Sequence, residues 1–158
     1  MSDKLFEERL AKAEKLKSMG VDPYGGRFDG ASSIAQAREA YDAANEGKPA
    51  KVAGRIMAFR GHGKSAFLDV LDWTGRVQVY FQKDRLGDAA YEIVGLLDIG
   101  DIIGVSGGLF KTKSGEITVF ADEFRILCKS LRPLPEKWHG LTDVEIRHRR
   151  RYVDLIVN

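Results

Sequence analysis

Lys51-Val-Ala-Gly-Arg-Ile-Met-Ala-Phe-Arg60, Phe67-Leu-Asp-Val-Leu-Asp72 and Arg76-Val-Gln-Val-Tyr-Phe-Gln82 are three strand-like runs separated by turns that carry Gly61, Gly63 and Gly75. Successive side chains of a strand point to opposite faces, so alternation with a period of two sorts each run. Leu68 and Val70 fall on one side of the second run, Phe67 and Asp69 on the other. In the third run Val77, Val79 and Phe81 share a side, which leaves Arg76, Gln78, Tyr80 and Gln82 opposite. If the aliphatic sides form a core, an aromatic ring, amides and guanidiniums stand together on the open face.

On the N-terminal side of this block, residues 4–19 predict a helix: Phe6, Leu10, Ala13 and Leu16 recur at spacings of three and four, and Gly20 is a stop. Val21-Asp-Pro-Tyr-Gly-Gly26 is a turn-rich connector. A second helix is expected from Ser33, whose hydroxyl caps it while Gln36 closes a capping box; Ile34, Ala37 and Tyr41 form its inner side and Gly47 ends it. On the C-terminal side, 83–97 reads as a helix with Leu86, Ala89 or Ala90, Ile93 and Leu97 inward. Strand character returns at Ile102–Phe110, Lys111-Thr-Lys-Ser-Gly115 is a polar turn, and Glu116–Cys128 is a last strand. Three strands, a helix and two strands is the order of an OB-fold. The fold class expected is therefore mainly β with accessory helices: a five-stranded Greek-key barrel, a helix between the third and fourth strands, and N-terminal helices packed outside. A split α+β sheet fits the same element order.

The chain has 158 residues, 44% hydrophobic and 30% charged, enough for one good core. No apolar run approaches the roughly 20 residues that span a bilayer, and the charged N-terminus lacks a signal-peptide core, so a cytoplasmic location is expected. The single cysteine, Cys128, has no partner for an internal disulfide and reads as a core residue of the last strand. The net charge of +2 conceals a segregation: residues 51–85 carry seven Lys/Arg against three Asp/Glu, and 86–128 carry three against seven. That division fits a local anionic partner, or simply scattered solvated charge.

Ala58 to Ser65 ends in Gly-Lys-Ser and has the look of a phosphate-binding P-loop. The first required glycine is Ala58, however, and a strand rather than a helix follows, so a hairpin with a basic tip is the better reading. His62, His139 and His148 lack metal-ligand spacing, and no nucleophile or acid/base pair is framed. Arg147, Arg149, Arg150 and Arg151 spread over several faces of a helix, which suits solvated or inter-domain charge as well as nucleic acid. Beyond Leu131-Arg-Pro-Leu-Pro135, a stiff exit from the barrel, Thr142 and Glu145 form a capping box for a helix running to the end. Val144, Tyr152, Leu155 and Ile156 give it an uncovered apolar side, as expected of a piece of a longer protein.

Phe67 has two readings from pattern alone: a ring on the open face, or a core residue with the alternation shifted at a bulge. Its joint placement with Gln78, Glu116 at the start of the last strand and Arg60 at the end of the first favours the open face. There an aromatic or guanidinium plane stacks on an unpaired base, an amide reads its edge, and cations hold phosphates.

Val52-Ala-Gly-Arg-Ile-Met57, Gly63-Lys-Ser-Ala-Phe-Leu68, Gly75-Arg-Val-Gln-Val-Tyr80, Leu109-Phe-Lys-Thr-Lys-Ser-Gly-Glu116 and Leu131-Arg-Pro-Leu-Pro-Glu-Lys-Trp-His-Gly-Leu-Thr-Asp143 carry a resemblance. Over essentially its whole length the chain resembles the N-terminal anticodon-binding portion of bacterial class II lysyl-tRNA synthetases. The resemblance implies a helical extension over 1–50, an OB-fold anticodon-binding domain over 51–130, and a linker with the start of a catalytic domain over 131–158. It implies that Phe67 stacks on the central uridine of a lysine tRNA anticodon, that Gln78 and Arg60 hydrogen-bond anticodon groups, and that Glu116 contacts a flanking base. The segment would need no cofactor and have no catalytic residue; ATP and Mg2+ would serve the parent lysine–tRNA ligase, a homodimer, whereas this piece could be monomeric. Two other readings are a stand-alone OB module for single-stranded nucleic acid or tRNA and an OB barrel that docks a protein.

Overall fold

The computed structural model describes residues 2–135 and 141–158. Five strands, β1 (Pro49–His62), β2 (Ser65–Leu71), β3 (Arg76–Gln82), β4 (Ile102–Lys111) and β5 (Ile117–Cys128), close into a barrel in the order β1-β2-β3-β5-β4. Only the β3–β5 pairing is parallel. Closure depends on β1, whose first half pairs with β4 and whose second half pairs with β2, with Arg55 shared between them. A bulge at Met57 bends the strand between these two partners. The expected OB barrel is therefore observed, and the split sheet is not.

The alternation of the opening block is obeyed: Leu68, Val70, Val77, Val79 and Phe81 are fully buried in the barrel, joined there by Val52, Ile56, Ile103, Val105 and Val119. Strands cross closely where β4 meets β5, and at Gly107 a Cβ would lie 2.0 Å from the backbone oxygen of Phe120. Backbone cannot yield as a flexible side chain does. Gly107→Ala is expected to lower unfolding stability by about 1–3 kcal/mol, the usual range for overpacking, and urea unfolding measures this directly.

The helices depart from expectation in instructive ways. α1 (Ser2–Ser18) buries Ala13 and Leu16 but leaves Leu10 39% exposed. α2 (Ile34–Glu39) starts with the expected capping box but stops far short of Gly47. The Asp42 carboxylate accepts the Ala44 amide (3.0 Å), a local turn that competes with further helix, while Tyr41 packs beside the core. The expected helix over 83–97 is two: α3 (Lys83–Leu86) and α4 (Asp88–Val94), broken at Gly87 with φ +88°, a value side chains rarely adopt. Leu86, Ile93 and Leu97 face the core as expected, joined by Val94 and Leu96, while Ala89 is exposed.

Cys128 is exposed rather than in the core. Ile103 pairs with Ile126 but Ile102 pairs with Cys128, so Leu127 is an extra residue that turns Cys128 to the outer side, opposite Ile102. At the end of the chain the cap is Asp143, not Thr142: its carboxylate accepts the amides of Glu145 (2.8 Å) and Ile146 (3.1 Å). The single expected helix is again two, α5 (Val144–Arg149) and α6 (Arg151–Val157). Val144, Tyr152 and Leu155 are exposed as anticipated. No described helix is long and apolar enough to cross a membrane.

Candidate nucleic-acid interface

Strand register assembles the open face in cross-strand rows. Arg60 of β1 lies opposite Phe67 of β2, Phe67 opposite Tyr80 of β3, and Tyr80 beside Phe120 of β5. The next row is Asp69, Gln78 and Thr118. Arg76 occupies the third, where the chain enters β5 through Glu116. All four expected site residues, Arg60, Phe67, Gln78 and Glu116, are thus brought to one surface.

Phe67 is half-buried and lies outside the core cluster. The bulge that could have turned it inward falls in β1, and β2–β3 pairing is regular through Phe67. One side of its ring stacks on Tyr80, with centroids 4.6 Å apart and planes 23° from parallel. Tyr80 in turn meets Phe120 at 5.1 Å and Phe110 at 6.4 Å, and the Arg85 guanidinium sits 4.0 Å from the Phe120 centroid. This is an aromatic cluster outside the barrel, held stiffly by mutual packing.

Beneath it runs a ladder of alternating charge. Arg60 Nη2 is 3.3 Å from Asp69 Oδ1, Arg76 Nη1 is 3.1 Å from Asp69 Oδ2, and Arg76 Nη2 is 3.1 Å from Glu116 Oε1. Arg38 of α2 closes the series at 3.6 Å from the same Glu116 oxygen, and it also donates to the Arg76 carbonyl oxygen (3.1 Å). The Thr118 hydroxyl donates to Gln78 Oε1 (3.1 Å). Among the described residues the Gln78 NH2 group has no protein acceptor.

Arg38 reaches this surface because the β2–β3 turn holds α2 by its first amides. Asp72 Oδ2 accepts the Ile34 amide (2.8 Å) and Thr74 Oγ1 the Ala35 amide (3.0 Å), satisfying donors that a helix leaves open. Burial pushes the Asp72 carboxyl up, but hydrogen bonds from Thr74, Ile34 and Gly75 outweigh it and hold the group below its ordinary range. A carboxyl depressed in the folded state contributes stability above its unfolded pKa, about 3.9, and loses that contribution as pH falls through the folded value. Asp72→Asn is therefore expected to cost about 1 kcal/mol at neutral pH. The gap between the two proteins should close below pH ~4, measured as thermal midpoints against pH.

Sequence reasoning missed Phe110, Phe120, Arg85, Arg38 and the bridging role of Asp69. Phe120 had a signal, since it alternates with buried Val119 and Ala121. Arg38 had none, because its place depends on how α2 docks. The presumed P-loop is a hairpin turn, as expected, with exposed His62 and Lys64 next to the Arg60–Phe67 row. Arg147 and Arg151 both pair with Asp154 (2.9 and 3.1 Å), and Arg149 pairs with Glu145, so two carboxylates offset half of the charge of the four tail arginines. His139 lies outside the described residues. Among the described residues no group of three His, Cys, Asp or Glu converges on a metal position.

Comparison with known proteins bears on the same segment. Residues 50–127 match the family model of the OB-fold nucleic acid binding domain. The chain is 53% identical over 156 residues to a lysine–tRNA ligase of Carboxydothermus hydrogenoformans, covering 99% of this chain and 32% of that protein. It is 51% identical to a lysine–tRNA ligase of Pelotomaculum thermopropionicum (99% and 31%) and 44% identical to one of Oceanobacillus iheyensis (100% and 34%). The chain spans about a third of the length of these curated relatives.

Proposed function

We propose that this chain, 53% identical to a lysine–tRNA ligase over about a third of that protein's length, is the OB-fold anticodon-binding portion of such a ligase, and that the face around Phe67 reads the uridine-rich anticodon of a lysine tRNA. The observation that carries this reading is the partly exposed Phe67 ring, backed by Tyr80 and flanked by Gln78, Arg60 and Glu116 on one surface outside the core.

Phe67 offers a pre-packed platform on which the central uridine stacks. Stacking accepts any base, so selection falls to the edge contacts. Uracil presents one N–H donor between two carbonyl acceptors. Gln78 supplies both a donor and an acceptor, Arg60 supplies donors, and Glu116 accepts from a flanking base. Exposed Lys64, Lys111 and Lys113 add cations for the phosphates.

The division into a helical extension over 1–50, the barrel over 51–130, and an exit over 131–158 follows from the same reading. The parent ligase would join lysine to tRNA with ATP and Mg2+ in the cytoplasm, in residues outside this chain, and would form its homodimer largely there. The piece itself is assigned binding without charging.

Titration with three anticodon hairpins tests this. The lysine hairpin is expected to bind at least about tenfold more tightly than aspartate or asparagine hairpins, the discrimination that edge hydrogen bonds typically supply. Equal affinity for all three, or for a scrambled loop, would make the barrel a general single-strand binder.

A further inference from the structure

A carboxylate in the middle of a surface that binds RNA opposes the phosphates, yet Asp69 sits there with only 12% of its side chain exposed. It is the one acidic group that contacts both Arg60 and Arg76 among the described residues. Arg60 is opposite Phe67 in register and Arg76 is opposite Leu71, so both guanidiniums reach diagonally to meet Asp69 in the row of Gln78. Each Arg remains about half exposed, at 54% and 46%, so each keeps N–H donors for a ligand.

We propose that Asp69 is a positioning residue for base recognition: it spends some phosphate attraction to hold the Arg60 and Arg76 forks on either side of Gln78. An unrestrained arginine follows the nearest phosphate. A restrained one presents directional donors where a base edge arrives, because the planar guanidinium keeps its geometry once one side is paired. Gln78 alone can swivel its amide; between two anchored forks the pattern of donors and acceptors is set before the RNA binds. This rests on the anticodon reading above and deepens it.

Asp69→Asn tests the idea because affinity and discrimination should move in opposite directions. Removing the charge is expected to leave binding of a scrambled loop unchanged or tighter, with a steeper salt dependence, by about 0.7 in log–log slope for each phosphate newly neutralised. Discrimination between the uridine-rich hairpin and one with the central uridine replaced is expected to fall about tenfold. Asp69→Glu, which keeps the charge, should retain most of the discrimination. If Asp69→Asn does not fold, Asp69→Ser carries the test, since the smaller hydroxyl also removes the charge that holds both guanidiniums. Its discrimination should fall in the same way.

A wild-type chain that fails to discriminate overturns the anticodon reading itself. A wild type that discriminates, beside an Asp69→Asn variant that does so equally well or weakens for both hairpins alike, overturns the positioning role and leaves the reading intact. The same holds for an Asp69→Ser variant that discriminates as the wild type does.

Discussion

Asp101→Ala is expected to lower the thermal midpoint by about 6–20 °C, corresponding to a loss of about 3–5 kcal/mol. Asp101 is fully buried, and so is the side chain of Lys129, whose Nζ donates to Asp101 Oδ2 (2.7 Å) and Asp98 Oδ2 (2.6 Å). The same Asp101 carboxylate accepts the amides of Ser130 (2.8 Å) and Asp98 (2.8 Å). Alanine would leave an ammonium with one remaining carboxylate and two amides without acceptors, in a place water barely reaches. The loss is a large share of the ~5–15 kcal/mol by which domains are stable.

The network also anchors α1, for Lys12 donates to Asp98 (2.7 Å) and Arg9 donates to the carbonyl oxygens of Ile99 and Ser130 (both 3.1 Å). Burial pushes the Asp98 carboxyl up, but hydrogen bonds and charge from Lys12 and Lys129 outweigh it and hold the group below its ordinary range. Its contribution is therefore full at neutral pH and fades on acidification below pH ~4. Calorimetry of the wild type and Asp101→Ala at neutral pH checks the prediction; a shift of a degree or two would mean that the triad is replaceable.

Phe67→Ala is expected to weaken binding of a uridine-rich anticodon hairpin by about 5- to 150-fold, the cost of about 1–3 kcal/mol for one base–aromatic stack. The variant remains folded because Phe67 contributes nothing to the barrel interior. Its structural partner is Tyr80, and such a pair is worth about 0.5–1.5 kcal/mol. Binding and stability are thus separable here, as they would not be for neighbouring Leu68, which is fully buried. Fluorescence titration beside a melting curve distinguishes them. An unchanged dissociation constant in a folded variant would remove Phe67 from the interface.

The strands were readable because β2 and β3 have one face buried and one open, so alternation placed Val77 and Val79 inside and Gln78 outside, whereas Phe67 needed its joint placement with Gln78, Glu116 and Arg60 to be assigned to the open face. Cys128 was not, since one extra residue at Leu127 reverses the side on which every later residue falls. Helix ends failed for a similar reason: the breaks at Asp42 and Gly87 are made by a side chain competing with backbone and by a left-handed residue, neither of which interrupts apolar spacing. The four proposed site residues could be placed on one face because each occupies a strand or its edge. The Asp69 ladder could not, since it needs three strands in register and a helix docked by Asp72 and Thr74.

Amide chemical-shift mapping of the chain, titrated with a hairpin carrying the lysine anticodon, tests the location of binding most directly. The largest changes are expected at Arg60, Phe67, Gln78, Tyr80 and Glu116, saturating together, with little change in the roughly 890 Å³ groove between α2 and the barrel that Lys51 and Gly108 line. Changes centred on that groove, or none along β2 and β3 at saturating RNA, would contradict it.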